Sequence, residues 1–270
     1  MKFDIPQGRP ALMGILNVTP DSFSDGGSYP SVVEAVDRAH QMMDEGADII
    51  DLGGESTRPG ATPVSEQEEI DRVLPVLEKL KGIPVSIDTY KAKVAALALE
   101  AGAQVINDVS ALGDPGMAEV ASRFKAMICL MHRGKVQCAN ISVAYEVCDY
   151  LKGRATYAKS CGIAETKIWV DPGIGFGKLL ENDIDLMQNL DRIIDMGYPV
   201  LVGLSRKRLT GALVSACENY ESRKIRPVSD RLIGSVVASL CAAIKGAKII
   251  RVHDVREMRD ALSVWQQLCP

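Results

Sequence analysis

The sequence predicts an α/β protein folded as a single (β/α)8 TIM barrel, and three observations lead there. Short runs rich in Val, Ile and Leu alternate with segments of helical period along the whole chain, and such alternation implies a parallel sheet. About eight strand–helix units fit into 270 residues, close to the roughly 250 of a closed barrel. No linker, low-complexity stretch or change of composition interrupts them, so residues 1–270 read as one domain. An open doubly wound sheet is the structural alternative.

The first strand is Ala11–Leu16, closing on Asn17, and Thr19–Gly27 after it is turn chemistry throughout. Ser31 N-caps a helix whose apolar positions (Val32, Ala35, Val36, Ala39, Met42, Met43) keep the helical period until Gly46 closes it. The second strand, Asp48–Leu52, opens into the loop 53–60. Ser65 and Glu68 form a capping box for a helix that reaches Leu80 and kinks at Pro75. Pro84–Asp88 is the third strand, followed by a helix over 91–101. Gln104–Asn107 is the fourth, with a short helix after Pro115. Ala126–Met131 is the fifth, running into His132-Arg133-Gly134, and a longer helix covers 141–161.

The sixth strand, Ile168–Val170, ends on Asp171, and Pro172, with no N–H to donate, stops the pairing. Gly173, Gly175 and Gly177 let the backbone take positive φ and leave room for a ligand. Asn182 and Asp183 then offer N-caps for a helix of about 14 residues. Pro199–Leu204 is the seventh strand, ending in Ser205–Arg208. Ser229-Asp230 caps an apolar helix to Lys245, whose run from Leu232 to Ile244 reads as buried and is shorter than the roughly 18 residues of a membrane span. Lys248–His253 is the eighth strand, and Asp254 starts the last helix.

Composition excludes several classes of function. A net charge of −4 argues against nucleic acid or an anionic membrane as the general partner. Seven scattered cysteines without a C-x-x-C pair suit a reducing cytoplasm better than a disulfide framework or a zinc site. Residues 1–10 hold no apolar run of the kind a secretory signal needs. The Gly173–Lys178 run has neither the dinucleotide nor the P-loop spacing, so it predicts no ATP or dinucleotide site.

The polar residues fall where a barrel places its chemistry. Asn17, Asp88, Asn107, Asp171, Lys207, Arg251 and His253 stand at or just past the carboxyl ends of strands, which share one face. Singly, each has a plain explanation as a turn former or a solvated helix start; together they predict one active-site mouth. Asp88, Asn107 and Asp171 supply acceptors and an amide, which suit a flat heterocycle with an amidine-like N–H edge, and Lys207 can meet ring acceptors. Arg251 and His253, two apart on one strand, share a face. With Asn17 and Thr57 they suit phosphate oxygens and a hard metal ion.

Seven stretches together resemble the dihydropteroate synthases. They are Gly14–Gly27, Asp51–Gly60, Ser86–Lys91, Ile106–Val109, Asp171–Lys178, Ser205–Lys207 and Arg251–Asp254, in order along nearly the full length. The resemblance implies a cytoplasmic, homodimeric transferase of folate biosynthesis. It would join 4-aminobenzoate to (7,8-dihydropterin-6-yl)methyl diphosphate, releasing diphosphate and 7,8-dihydropteroate. It places the pterin on Asp88, Asn107, Asp171 and Lys207. The diphosphate falls to Asn17, Thr57, Arg251 and His253, with Mg2+ at Asn17. The 4-aminobenzoate falls to Thr57, Arg58, Pro59, Phe176, Ser205 and Lys207. Asp88, Lys207 and Arg251 carry the catalysis. Arg206 is left out, because strand alternation turns it away from its neighbours.

Two classes of alternative stay open: a pterin-binding paralogue without synthase activity, and a pterin-dependent methyltransferase domain. The loops 18–27 and 53–63 are expected to close on bound diphosphate, being rich in Gly, Pro, Ser and Thr. One segment departs from the family pattern. Met131-His132 runs directly into Arg133-Gly134-Lys135, without the second methionine and the glycine–proline turn usual there.

Overall fold

The computed structural model describes residues 3–19, 31–56, 62–136, 142–216 and 225–269. Eight parallel strands run in chain order: β1 (Ala11–Asn17), β2 (Ile49–Gly53), β3 (Val85–Asp88), β4 (Val105–Asp108), β5 (Met127–Met131), β6 (Ile168–Asp171), β7 (Leu201–Gly203) and β8 (Ile249–Val252). β8 pairs with β1, Met13 opposite Arg251, and a bridge between Val170 and Val200 brings β6 to β7. The sheet thus curls into the barrel that the alternation predicts.

The helices are α1 (Val32–Asp44), α2 (Glu66–Leu77), α3 (Ala92–Glu100), α4 (Met117–Phe124), α5 (Val143–Ser160), α6 (Leu180–Gln188), α7 (Leu190–Ile194), α8 (Arg208–Ala216), α9 (Leu232–Lys245) and α10 (Val255–Leu268). Successive strand side chains point to opposite faces. Leu12, Ile50, Ile87, Ile106, Ile128, Val170, Val202 and Ile250 therefore join the aliphatic layer shared with the helices, while Ala11, Met13, Ile49, Val105, Met127, Cys129, Trp169, Leu201 and Ile249 fill the barrel. Burying one such side chain contributes about 1.5–3 kcal/mol. At the amino end Phe3 closes the interior edge-on against Trp169, centroids 5.8 Å apart. The apolar filling leaves the carboxyl end to support a polar site.

Local chemistry explains three of the helix starts. Ser31 and Glu34 form a reciprocal capping box for α1, Ser65 Oγ accepts from the Glu68 amide, and Ser142 Oγ accepts from that of Ala144. Four expectations are corrected. α2 ends at Leu77, two residues past Pro75, not at Leu80. The helix expected from Asn182 starts earlier, at Leu180, and divides at Asn189 into α6 and α7. Asp183 does not cap it: its carboxylate accepts from the Gly175 amide at 2.8 Å. Ser229 and Asp230 lie in a short 3-10 turn, and α9 begins only after Arg231.

The run Leu232–Ile244 is not a buried helix. Ser235, Ser239, Ala242 and Ala243 face inward, whereas Ile233 is 77% exposed, Val237 54% and Ile244 56%. Among the described residues no helix is long and apolar enough to cross a membrane.

Candidate active site

The carboxyl ends of the strands open on a cavity of about 490 Å³. Asn17, Asp88, Phe176, Ser205, Lys207, Arg251 and His253 all line it, so residues from five of the eight strand ends converge as expected. Asn107 and Asp171 lie deeper, 4% and 7% exposed. Thr57, Arg58 and Pro59, with the rest of 57–61 in the second loop and 20–27 in the first, lie outside the described residues.

The floor is a network of charges. Arg251 Nε donates to Asp51 Oδ2 at 2.5 Å, and Nη2 donates to Asp88 Oδ2 at 2.6 Å. The Asn107 amide donates to the same Asp51 oxygen at 3.0 Å. Asp171 accepts from the Gly173 amide at 2.7 Å, which holds the start of the glycine loop. Burial pushes the Asp88 carboxyl up to about 7, with Arg251 pulling it down and Asp51, Glu69 and Asp108 adding to the rise. Burial also raises the Asp171 carboxyl, against the attraction of Lys207. Each carboxylate is thus a strong acceptor with little water around it, suited to N–H donors of a ligand.

Cations form the wall. Lys207 Nζ donates to the Ile174 carbonyl at 2.5 Å and stands 4.6 Å from the centre of the Phe176 ring. Burial lowers its ammonium to about 8, against the pull of Asp171. Ser205 Oγ accepts from the His253 amide at 3.2 Å and lies 3.0 Å from the His253 ring Nδ1, so the ends of β7 and β8 are tied together. Arg251 and His253 both line the cavity, although His253 lies just past β8 rather than within it.

Arg206 is also past its strand, since β7 ends at Gly203. Alternation is therefore not what diverts it. Its φ of +59° and a bidentate ion pair with Asp254 carry the guanidinium to the outer rim of the cavity.

Three groups were missed. Asp51, 0% exposed, has the same parity along β2 as the interior residue Ile49, and a carboxylate in the middle of a buried strand was itself the signal. Lys178 lines the cavity and donates to the carbonyls of His132 and Gly173, at 3.1 and 2.8 Å. It joins the loop after β5 to the loop after β6, and burial lowers its ammonium to about 8. Glu55, at the base of the loop after β2, pairs with Lys91, which also holds Glu69.

A buried acceptor floor beside a wall of cations makes a two-part site. Residues 13–253 match the family described as pterin binding enzyme. The chain is 46% identical over 267 residues to the dihydropteroate synthase of Streptococcus pyogenes serotype M6, covering 97% of each. The chain belongs to the dihydropteroate synthase family. Among solved members it superposes on the Xanthomonas albilineans dihydropteroate synthase with 4-aminobenzoic acid at a TM-score of 0.88, with 44% identity and coverage of 97% of this chain and 93% of that one. The same enzyme in complex with 7,8-dihydropteroate gives 0.86 and 41%, covering 97% and 94%. At the end of β5, Met131 keeps the parity of the interior residues Met127 and Cys129 and is 2% exposed, with Asp171 as its register partner.

Proposed function

We propose that this dihydropteroate synthase condenses 4-aminobenzoate with (7,8-dihydropterin-6-yl)methyl diphosphate as a cytoplasmic homodimer. The observation that carries the site assignment is Arg251 beside Asp88: one guanidinium borders both the acceptor floor and the open cavity. Asp88, Asn107 and Asp171 take the N–H edge of the pterin, with Lys207 on its ring acceptors. Arg251, His253, Asn17 and Thr57 take the diphosphate. Phe176, Ser205 and Lys207 border the 4-aminobenzoate, together with Thr57, Arg58 and Pro59. Among the described residues no cluster of three acidic, His or Cys ligands exists. A Mg2+ that keeps water and substrate phosphates as most of its ligands needs only one side-chain oxygen, and Asn17 on the cavity wall fits that need. When bound, the ion would neutralise diphosphate charge.

In the reaction the methylene–oxygen bond breaks and its electron pair leaves with the diphosphate, whose growing charge Arg251 and His253 stabilise. The positive charge left on the methylene spreads into the pterin and is favoured by Asp88. The neutral aniline nitrogen forms the new carbon–nitrogen bond and then loses its extra proton to solvent. No side-chain nucleophile is required, so catalysis is positioning and electrostatics. Diphosphate release by the purified protein tests the reading. Release that depends on 4-aminobenzoate is expected, and none, or release indifferent to it, refutes it.

The second copy is supported by the exposed apolar face where α8 meets α9, with Leu213, Ile233 and Val237. Ile233→Asp should give a monomer in sedimentation.

A further inference from the structure

Asp51 is the residue of this floor that the assignments above do not use. It does not border the cavity, and it is fully buried in the middle of β2. Its Oδ2 accepts from both Arg251 Nε and the Asn107 amide, while its Oδ1 has no partner among the described residues. One guanidinium therefore faces two buried carboxylates, Asp51 and Asp88, where one would neutralise it. A surplus buried carboxylate opposes folding. As a plain counter-ion for Arg251, Asp51 is redundant.

The redundancy ends when ligand binds. Asp88 Oδ1 has no partner among the described residues, so a pterin edge meets Asp88 there and shares the carboxylate with Arg251, while an incoming diphosphate competes with Asp88 for Arg251. A guanidinium has five N–H donors, of which two are in use among the described residues, so three remain on a side chain that borders the cavity. If Asp88 were its sole anchor, the exchange of partners would set the long Arg251 side chain loose, and Asn107 would lose its fixed orientation.

Resting on the pterin and diphosphate assignments above, we propose that Asp51 is a positioning residue: it holds Arg251 by Nε and Asn107 by its amide, so that Arg251 Nη2 passes from Asp88 to the diphosphate while the guanidinium stays in place. Asp88 is thereby freed for the pterin at the same moment that the anion finds its cation. Ligands carrying both groups gain from the exchange, and those carrying one must separate Asp88 from Arg251 without full replacement.

The test uses nitrogen NMR of the arginine Nε–H groups in the intact protein, the Arg251 signal being identified by its loss in Arg251→Lys. Slow exchange of the Arg251 Nε proton with water is expected both before and after inorganic diphosphate, Mg2+ and a pterin are added. Protection lost on their addition would overturn the proposal. Asp51→Asn keeps the shape and an acceptor but removes the charge. It should lower kcat/KM for the pterin diphosphate by about ten- to a hundredfold, the span expected for weakening a hydrogen bond to a charged group. It should also hasten exchange of the Arg251 Nε proton. A folded Asp51→Asn with wild-type turnover and wild-type exchange would equally overturn it. Absence of turnover in the wild type would instead strike the proposed reaction, since the NMR reads Arg251 without any chemistry.

Discussion

Arg251 Nη2 and Asp88 Oδ2, 2.6 Å apart, make the floor of the cavity a closed ion pair. Removing one member of a buried pair typically costs about 3–5 kcal/mol, because the other charge is left unpaired. Arg251→Ala should therefore lower stability as well as affinity. The affinity loss should be much larger for the diphosphate substrate than for a pterin lacking phosphates, measured by calorimetry. The sign of the pH effect follows from Asp88, whose carboxyl in the folded protein lies far above the ordinary range, at about 7. Between the ordinary carboxyl range and that value the folded state binds the proton that the unfolded state releases, so its contribution to stability falls as pH rises. The thermal penalty of Arg251→Ala should accordingly be smaller at pH 5 than at pH 8. Equal penalties would mean that Asp88 is not the charge uncovered.

Asp171→Asn replaces an acceptor-only group by one with an unwanted donor facing the pterin N–H edge. Its contact with the Gly173 amide survives through the remaining oxygen, so the loop should hold. Losing the charge-assisted bond is expected to cost about 1.5–3 kcal/mol of pterin affinity. A folded variant with unchanged affinity would place the pterin elsewhere.

The dependence of kcat/KM on pH should be a narrow bell. Asp88 must be ionised to accept from the pterin, and burial raises it to about 7, which sets the acid limb. Lys207 must be charged, and burial lowers it to about 8, which sets the alkaline limb. A guanidinium stays charged throughout this range, so Lys207→Arg should move the alkaline limb upward at some cost in rate. An alkaline limb that does not move in that variant would remove Lys207 from the titration.

Sulfonamides should compete with 4-aminobenzoate. Phe176, Ser205 and Lys207 border one part of the cavity, and the resemblance to the family extends through the Ser56-Thr57-Arg58-Pro59 stretch. Steady-state inhibition relieved by added 4-aminobenzoate is the expected result; inhibition that added 4-aminobenzoate leaves untouched would locate the drug outside this pocket.

What the sequence made legible is what periodicity and strand ends encode. Alternation placed Asn17, Asp88, Asn107, Asp171 and Arg251 toward one mouth, because a parallel barrel leaves no other geometry for carboxyl ends. Asp51 escaped because attention to strand ends passes over mid-strand positions, although its parity with Ile49 put it inside. Leu232–Ile244 reads as buried because composition alone cannot say which helix faces are covered, and Ile233 and Val237 stay more than half exposed in a single chain. The rim position of Arg206 depends on its pairing with Asp254, 48 residues away, which no short window of sequence contains; α6 and α7 part at Asn189, whose side chain bonds back to Asp185.

The described start of the loop after β5, residues 132–136, is held by the glycine loop after β6. The Gly134 amide donates to the Phe176 carbonyl at 3.2 Å, and Lys178 bridges the carbonyls of His132 and Gly173. Gly173 takes a φ of +68°, and a Cβ there would collide with the His132 carbonyl oxygen. The obstacle is backbone, which cannot rotate aside as a side chain can. Gly173→Ala should therefore cost more than the roughly 1–3 kcal/mol of a strained backbone alone. The two loops must part to admit the methyl group, loosening both the Asp171 contact with Gly173 and the support under Phe176. The expected result is a lower thermal midpoint together with weaker binding of both pterin and 4-aminobenzoate. Gly134→Ala, at a φ of +126° with nothing among the described residues within 4 Å of its Cβ, should strain the backbone without the clash and disturb ligand binding less. If Gly173→Ala binds both ligands as the wild type does, the close approach of these loops is not what shapes the pocket.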